Sequence, residues 1–77
     1  MIFEQWLKES LKTAKLTHTH AAQEIGVSRT TLVKWIVGKS VPRVHHLWKF
    51  CELVYPTTTE ESYILATYMI REKKCGK

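Results

Sequence analysis

Residues 17–38 have the sequence THTHAAQEIGVSRTTLVKWIVG, and this stretch decides the fold. It contains two helix N-cap signals, Thr17 and Ser28, whose hydroxyl groups can accept hydrogen bonds from unpaired backbone N–H groups of a first helical turn. Gly26, between them, tolerates the left-handed backbone conformation in which a helix can end sharply. The stretch therefore predicts two short helices, one after Thr17 and one after Ser28, joined by the turn 26–28.

The apolar side chains of this stretch predict that the two helices pack tightly against each other. The predicted inward positions are Ala21, Ala22, Ile25, Val27, Leu32 and Trp35. Ala22 is small, as a close helix crossing requires, and the larger side chains are suited to fill the angle between the helices. The pattern is that of a helix-turn-helix motif over residues 18–37, whose second helix can enter the major groove of DNA.

Helices are also predicted on both sides of the motif, whereas no segment shows the alternation of a strand. The first covers about residues 2–14, and its apolar face consists of Phe3, Trp6, Leu7, Ser10, Leu11 and Ala14. The fourth follows the loop 38–42, because Pro42 suits a first helical position. Its apolar face consists of Val44, Leu47, Trp48, Cys51 and Val54.

The fifth helix is predicted at about residues 59–72. It opens on a capping box, either Thr58 with Glu61 or Thr57 with Glu60. Its predicted apolar stripe consists of Ile64, Leu65, Tyr68 and Met69. No repeat or linker is found, so residues 1–77 are predicted to form one all-α domain of five helices, with the helix-turn-helix at helices two and three.

The charge of the chain favours a polyanionic partner. Twelve Lys and Arg residues stand against seven Asp and Glu, for a net charge of +5. Between His18 and Val54 the acids are only Glu24 and Glu52. The bases of that segment are Arg29, Lys34, Lys39, Arg43 and Lys49. Positive charge therefore outweighs negative charge over the segment that contains the predicted helix-turn-helix.

The two cysteines, Cys51 and Cys75, are interpreted as reduced thiols. No secretory leader opens the chain, and no apolar run approaches the ~20 residues that span a bilayer. These observations predict a cytoplasmic protein without a membrane partner, and disulfides are rare in that compartment. Cys51 is expected to serve as a small core residue and Cys75 to lie in a polar tail.

The sequence indicates a binding protein and not an enzyme. It has no nucleophile–base pair, no glycine-rich phosphate loop and no isolated carboxylate pair. The histidine pairs, His18 with His20 and His45 with His46, have spacings that do not converge on one helix face, and no Cys–His spacing resembles a zinc site. We expect no catalytic residue, metal or cofactor.

Over roughly residues 3–54 the chain resembles the Cro and phage-repressor family of Xre-like helix-turn-helix domains. The residues that carry the resemblance are Leu16-Thr17, Ala21-Ala22, Ile25-Gly26-Val27-Ser28, Thr31-Leu32, Lys34-Trp35, Gly38-Lys39, Pro42 and Leu47. It implies a compact lambda-repressor-like fold and a repressor that binds operator DNA as a homodimer. No separate ligand-sensing domain is found in the chain.

Two positions depart from the family pattern. His18 replaces a glutamine that commonly binds phosphate in the family, so a phosphate contact there would depend on pH. Ile36 and Val37 replace an acidic residue and its basic or polar neighbour. Packing is the preferred interpretation for Ile36, whereas Val37 is left open between packing, a subunit contact and a thymine methyl contact.

The resemblance assigns base contacts to Arg29, Thr30, Val33 and Lys34. Arg29 can bond guanine O6 and N7 together, whereas Val33 can offer only a methyl contact. Phosphate contacts are expected from Thr17, His18, Thr19, Ser28, Thr31, Lys39, Ser40 and Arg43. The alternative for Arg29 and Lys34 is a solvated helix face without a partner.

Helix five is the candidate dimer interface, because it is more apolar than the core of a monomer requires. Tyr63, Thr67 and Ile70 are the residues expected to join two subunits, and the alternative is that the stripe only covers the core. Two other functions fit the same fold. One is an antitoxin that also binds a toxin, and the other is a protein-interaction module that has lost DNA binding, against which Arg29 and Lys34 argue.

Overall fold

A computed structural model describes residues 2–75, with side chains described for residues 2–72. This part of the chain forms five α-helices and no strand: α1 (Phe3–Ala14), α2 (His18–Ile25), α3 (Arg29–Ile36), α4 (Val44–Val54) and α5 (Thr59–Cys75). The predicted all-α fold is confirmed. α2 packs against α3 and α4, while α1 lies against α3, α4 and α5. Within the described residues, no helix is long and apolar enough to cross a membrane.

Trp6 of α1 is the centre of an aromatic cluster in the core. Its ring centroid lies 5.8 Å from that of Phe3, 5.6 Å from that of Phe50 in an edge-on contact, and 6.0 Å from that of Tyr55 in a stacked contact. The hydroxyl of the buried Ser10 lies 2.5 Å from the Tyr55 hydroxyl. This hydrogen bond offsets the cost of burying a polar group, because neither hydroxyl loses all its partners on leaving water.

The start and the inward face of α4 differ from the prediction at three positions. The helix begins at Val44 with Arg43 as N-cap, so Pro42 precedes the cap and is not the first helical residue. Phe50 is buried although it was not predicted, whereas Val44, predicted to face inward, is 69% exposed. The reason is that α4 and α5 leave an open groove beside the first turn of α4, and Val44 lines it.

The inward face of α5 was predicted wrongly, except at Met69. Ala66 and Met69 are buried, and Tyr63 and Ile70 pack against the core. The predicted inward residues Ile64, Leu65 and Tyr68 are instead exposed, by 59%, 50% and 61%. The small Ala66 lets the helix approach the core closely, which turns the larger neighbours outward. The helix begins at Thr59, as the Thr58 capping frame predicts, and the Thr59 hydroxyl donates to the Tyr55 carbonyl at 2.8 Å.

Cys51 lies in the core with no exposed surface, so its predicted role as a small core residue is confirmed. Burial raises the pKa of its thiol to about 11, because a thiolate is poorly solvated there. The side chain of Cys75 lies outside the described residues, so its reduced state stays a prediction.

Gly38, just beyond α3, lies against Glu4 of α1. Its φ of 87° lies in the left-handed region, and a Cβ atom at this position would lie 2.6 Å from the Oε2 atom of Glu4. We expect Gly38→Ala to lower the free energy of unfolding by about 1–2 kcal/mol through left-handed strain, with only a small addition from Glu4, because its carboxylate is the end of a flexible side chain and can move. Urea unfolding followed by circular dichroism measures this loss.

Two further variants separate the backbone strain from the clash with Glu4. Gly26 has a φ of 96° and open space where its Cβ would lie, so Gly26→Ala should show the strain alone. In a Glu4→Ala background the cost of Gly38→Ala should fall towards that of Gly26→Ala. If the cost of Gly38→Ala is the same in both backgrounds, the contact with Glu4 does not restrict position 38.

Candidate nucleic-acid interface

Side-chain caps fix where α2 and α3 begin, as predicted. The Thr17 hydroxyl accepts a hydrogen bond from the His20 N–H at 3.1 Å, and the Ser28 hydroxyl accepts one from the Thr31 N–H at 3.1 Å. Between the helices, Gly26 adopts the left-handed conformation, with a φ of 96°, and its N–H donates to the Ala22 carbonyl at 2.8 Å. The chain therefore turns within three residues, and the first turn of α3 is held in a defined position.

α3 has one buried face and one exposed face. Leu32, Trp35 and Ile36 are buried, which confirms the packing role of Ile36. On the other side Arg29, Thr30 and Lys34 are exposed, and Val33 is half-buried. The four residues predicted to contact bases therefore all retain surface in contact with solvent, and three of them can donate hydrogen bonds.

Val37 was left open by the sequence, and the structure places it at the exposed end of α3. It is the C-cap residue of the helix, its N–H donates to the Val33 carbonyl at 2.9 Å, and its side chain is 58% exposed. The packing interpretation of Val37 is therefore wrong. A helical wheel places Val37 on the same side as Thr30, seven residues earlier, but it does not show whether that side of the helix end contacts the core.

The residues predicted to contact phosphate lie at helix ends and in the loop after α3. Thr17, Thr19, Ser28, Lys39, Ser40 and Arg43 are exposed, and His18 and Thr31 are half-buried. Ser28 and Thr31 have hydroxyl oxygens 3.0 Å apart, so one of their two hydroxyl hydrogens is used internally and one remains to donate. The cap role of Ser28 is thus compatible with the phosphate contacts predicted for both residues.

The loop after α3 folds back onto the end of that helix. The N–H groups of Lys39 and Ser40 donate to the Lys34 carbonyl at 2.9 and 3.3 Å. These two hydrogen bonds hold the backbone of Lys39 beside the exposed end of α3. With Arg43 as N-cap of α4, three cationic side chains (Lys34, Lys39 and Arg43) are exposed within ten residues of chain. An anionic partner would be attracted to this region.

The histidines occupy two separate places. His20 on α2 lies 3.9 Å from the carboxylate of Glu24. His46 on α4 packs its ring 5.9 Å from Trp35 and 4.1 Å from His45. Burial, followed by the charges of His45 and Arg43, lowers the pKa of His46, so the neutral ring that packs on Trp35 is favoured. Among the described residues, no group of three His, Cys, Asp or Glu side chains is placed to hold a metal ion.

Comparison with known families gives one match. A family model described as helix-turn-helix matches residues 7–54, which include α2, α3 and the loop that follows. No curated protein and no solved structure shows a significant similarity to the chain.

Proposed function

This protein belongs to the helix-turn-helix family of the Xre/Cro type, a family of DNA-binding transcription regulators, and we propose that it is a Cro-like repressor that binds a palindromic operator as a homodimer. α3 is the helix that enters the major groove. Arg29, Thr30, Val33 and Lys34 contact base edges there, and the helix ends and the loop after α3 contact phosphates on either side.

The single observation that carries this proposal is the chemistry of the exposed face of α3. Arg29 lies in the first turn, where it can donate two hydrogen bonds to one guanine. Thr30 and Lys34 supply further donors, while the opposite face of the helix is held by Leu32 and Trp35 in the core. A helix anchored in this way presents donors in fixed positions, which lowers the entropy lost when they bind DNA.

A second copy of the chain would place a second α3 one helical turn away on the DNA, about 34 Å from the first. Tyr63, Thr67 and Ile70, the predicted dimer residues, line the groove between α4 and α5, and exposed Ile64 and Tyr68 border a neighbouring groove. Half-buried Thr67 is small, so a side chain of the second copy can approach between its larger neighbours. This surface is the one we assign to the dimer. The dimer would repress by occluding a promoter, since bound protein and polymerase cannot occupy the same DNA.

Selection of duplexes from a random-sequence pool by the purified chain tests this proposal. We expect enrichment of an inverted repeat whose half-site centres lie about 10 base pairs apart. Its affinity should fall steeply with salt, with a slope of about −0.9 per phosphate contact in a plot of log K against log salt. Sedimentation of the selected complex should give two chains per duplex.

Two results would contradict different parts of the proposal. Weak binding that is equal on all sequences would exclude an operator-binding repressor. Enrichment of a single half-site, bound by one chain, would retain sequence recognition and exclude the homodimer.

A further inference from the structure

The exposed side of α3 contains a stripe of four residues, and one of them has no role in the proposed function. Thr30, Val33, Lys34 and Val37 are spaced i, i+3, i+4 and i+7, the spacing of residues on one side of a helix. They lie on the side of α3 opposite to its buried residues Leu32, Trp35 and Ile36. Val37 therefore continues the stripe on which three of the proposed base-contacting residues lie.

The surroundings of Val37 favour a particular kind of partner. Lys34 lies on the same stripe, and the backbone hydrogen bonds of Lys39 and Ser40 to the Lys34 carbonyl hold a second cationic residue nearby. An exposed valine beside two cations is suited to a polyanion that also presents apolar groups. Duplex DNA meets both conditions in its major groove, where each thymine presents its C5 methyl group close to the phosphates.

We propose that Val37 is a specificity-determining residue that contacts the C5 methyl group of a thymine in the operator. The inference rests on the proposed function, since it needs α3 to lie in the major groove. Val33 and Val37 are four residues apart, and a helix rises about 6 Å over that distance. One base-pair step is about 3.4 Å, so an α3 that follows the groove contacts two methyl groups about two base pairs apart.

The C5 methyl group can be removed without changing any hydrogen bond, which makes the test selective. Deoxyuridine pairs as thymidine does and lacks only that methyl group. The probe is the duplex that the wild-type chain selects from the random pool, with each thymidine replaced singly by deoxyuridine. At two thymidines of each half-site, one expected to face Val33 and the other Val37, we expect the wild type to lose affinity about fourfold on each single replacement, which corresponds to the burial of one methyl group.

The variant Val37→Ala identifies which position depends on Val37. It should bind the unsubstituted duplex about 15-fold more weakly than the wild type, because both subunits lose a contact worth about fourfold, and show no further loss with deoxyuridine at that position. Because Val37 is exposed, we expect thermal unfolding to be nearly unchanged by this substitution. The matched control is Ile2→Ala, which truncates another exposed apolar side chain, at 62% exposure, and should keep the full sensitivity to deoxyuridine.

The outcomes distinguish this inference from the proposal on which it rests. If the wild type selects no duplex, the proposed function fails and the inference fails with it. If the wild type selects an operator but Val37→Ala responds to every deoxyuridine substitution as the wild type does, the operator proposal stands and the role of Val37 is excluded.

Discussion

Trp35→Ala is expected to unfold a large fraction of the protein at room temperature. Trp35 is 3% exposed and joins the inner side of α3 to the core. Removal of a buried aromatic side chain costs about 3–5 kcal/mol, and a domain of this size has a stability of only about 3–5 kcal/mol. The loss is therefore comparable with the whole free energy of unfolding. The ring of His46 also loses its contact, since it lies 5.9 Å from that of Trp35.

Urea titration followed by far-UV circular dichroism measures this effect. The matched control is Lys34→Ala, which changes the preceding residue on the exposed side of α3 and should leave the unfolding midpoint nearly unchanged. A Trp35→Ala variant that unfolds at the wild-type midpoint would show that α3 is held in place by other contacts.

The Arg29→Ala variant is expected to show the second large effect, which is a loss of DNA-binding affinity. If Arg29 contacts a guanine with two hydrogen bonds, its loss should weaken binding to the selected operator by about 1–3 kcal/mol per subunit, or roughly 5- to 150-fold for each half-site. The preference for guanine should be relaxed at one base pair per half-site and kept at the others. Fluorescence anisotropy with the operator and its single base-pair variants measures both quantities.

Two lysine variants separate base recognition from the effect of charge. Lys39→Ala removes a proposed phosphate contact, so it should weaken binding to all sequences alike and reduce the salt slope by about 1 per subunit. Lys8→Ala removes one charge from an exposed position on α1 to which we assign no role, and it should change affinity little. An Arg29→Ala variant that loses affinity equally on every sequence would show that Arg29 contacts phosphate and not a base.

The helix-turn-helix was predictable from the sequence because its signals are local. Each of Thr17, Gly26 and Ser28 caps a helix through a hydrogen bond to a residue within one helical turn. The structure has the predicted caps at all three positions. The small Ala22 and the apolar Leu32 belong to the same local pattern of residues 17–38. Tertiary contacts are not needed to predict such a segment.

The orientation of α5 could not be predicted because the helix is apolar on more than one side. Ile64, Leu65 and Tyr68 form an apolar stripe as regular as the buried one, which includes Ala66 and Met69. Which stripe of α5 faces the core depends on how closely α1 and α4 approach α5, and that distance is set by the packing of the whole domain. For the same reason the contact between Glu4 and Gly38, thirty-four residues apart, leaves no signal in the sequence.

Most of the candidate site was identified from the sequence through the motif and the family resemblance. Arg29, Thr30 and Lys34 are polar residues on a short helix, and the structure leaves them exposed. Val37 could not be assigned in this way, because an apolar residue at the end of a helix fits both a core and a DNA-facing role. Its exposure of 58% was needed to distinguish them.

The division of α3 into two faces also has an evolutionary consequence. The residues that stabilise the domain (Leu32, Trp35 and Ile36) alternate along the helix with those that face outward. Substitutions at Thr30, Val33, Lys34 and Val37 can therefore accumulate with little loss of stability. If α3 contacts DNA as proposed, a duplicated copy of this gene can acquire a new sequence preference in a few steps while every intermediate still folds.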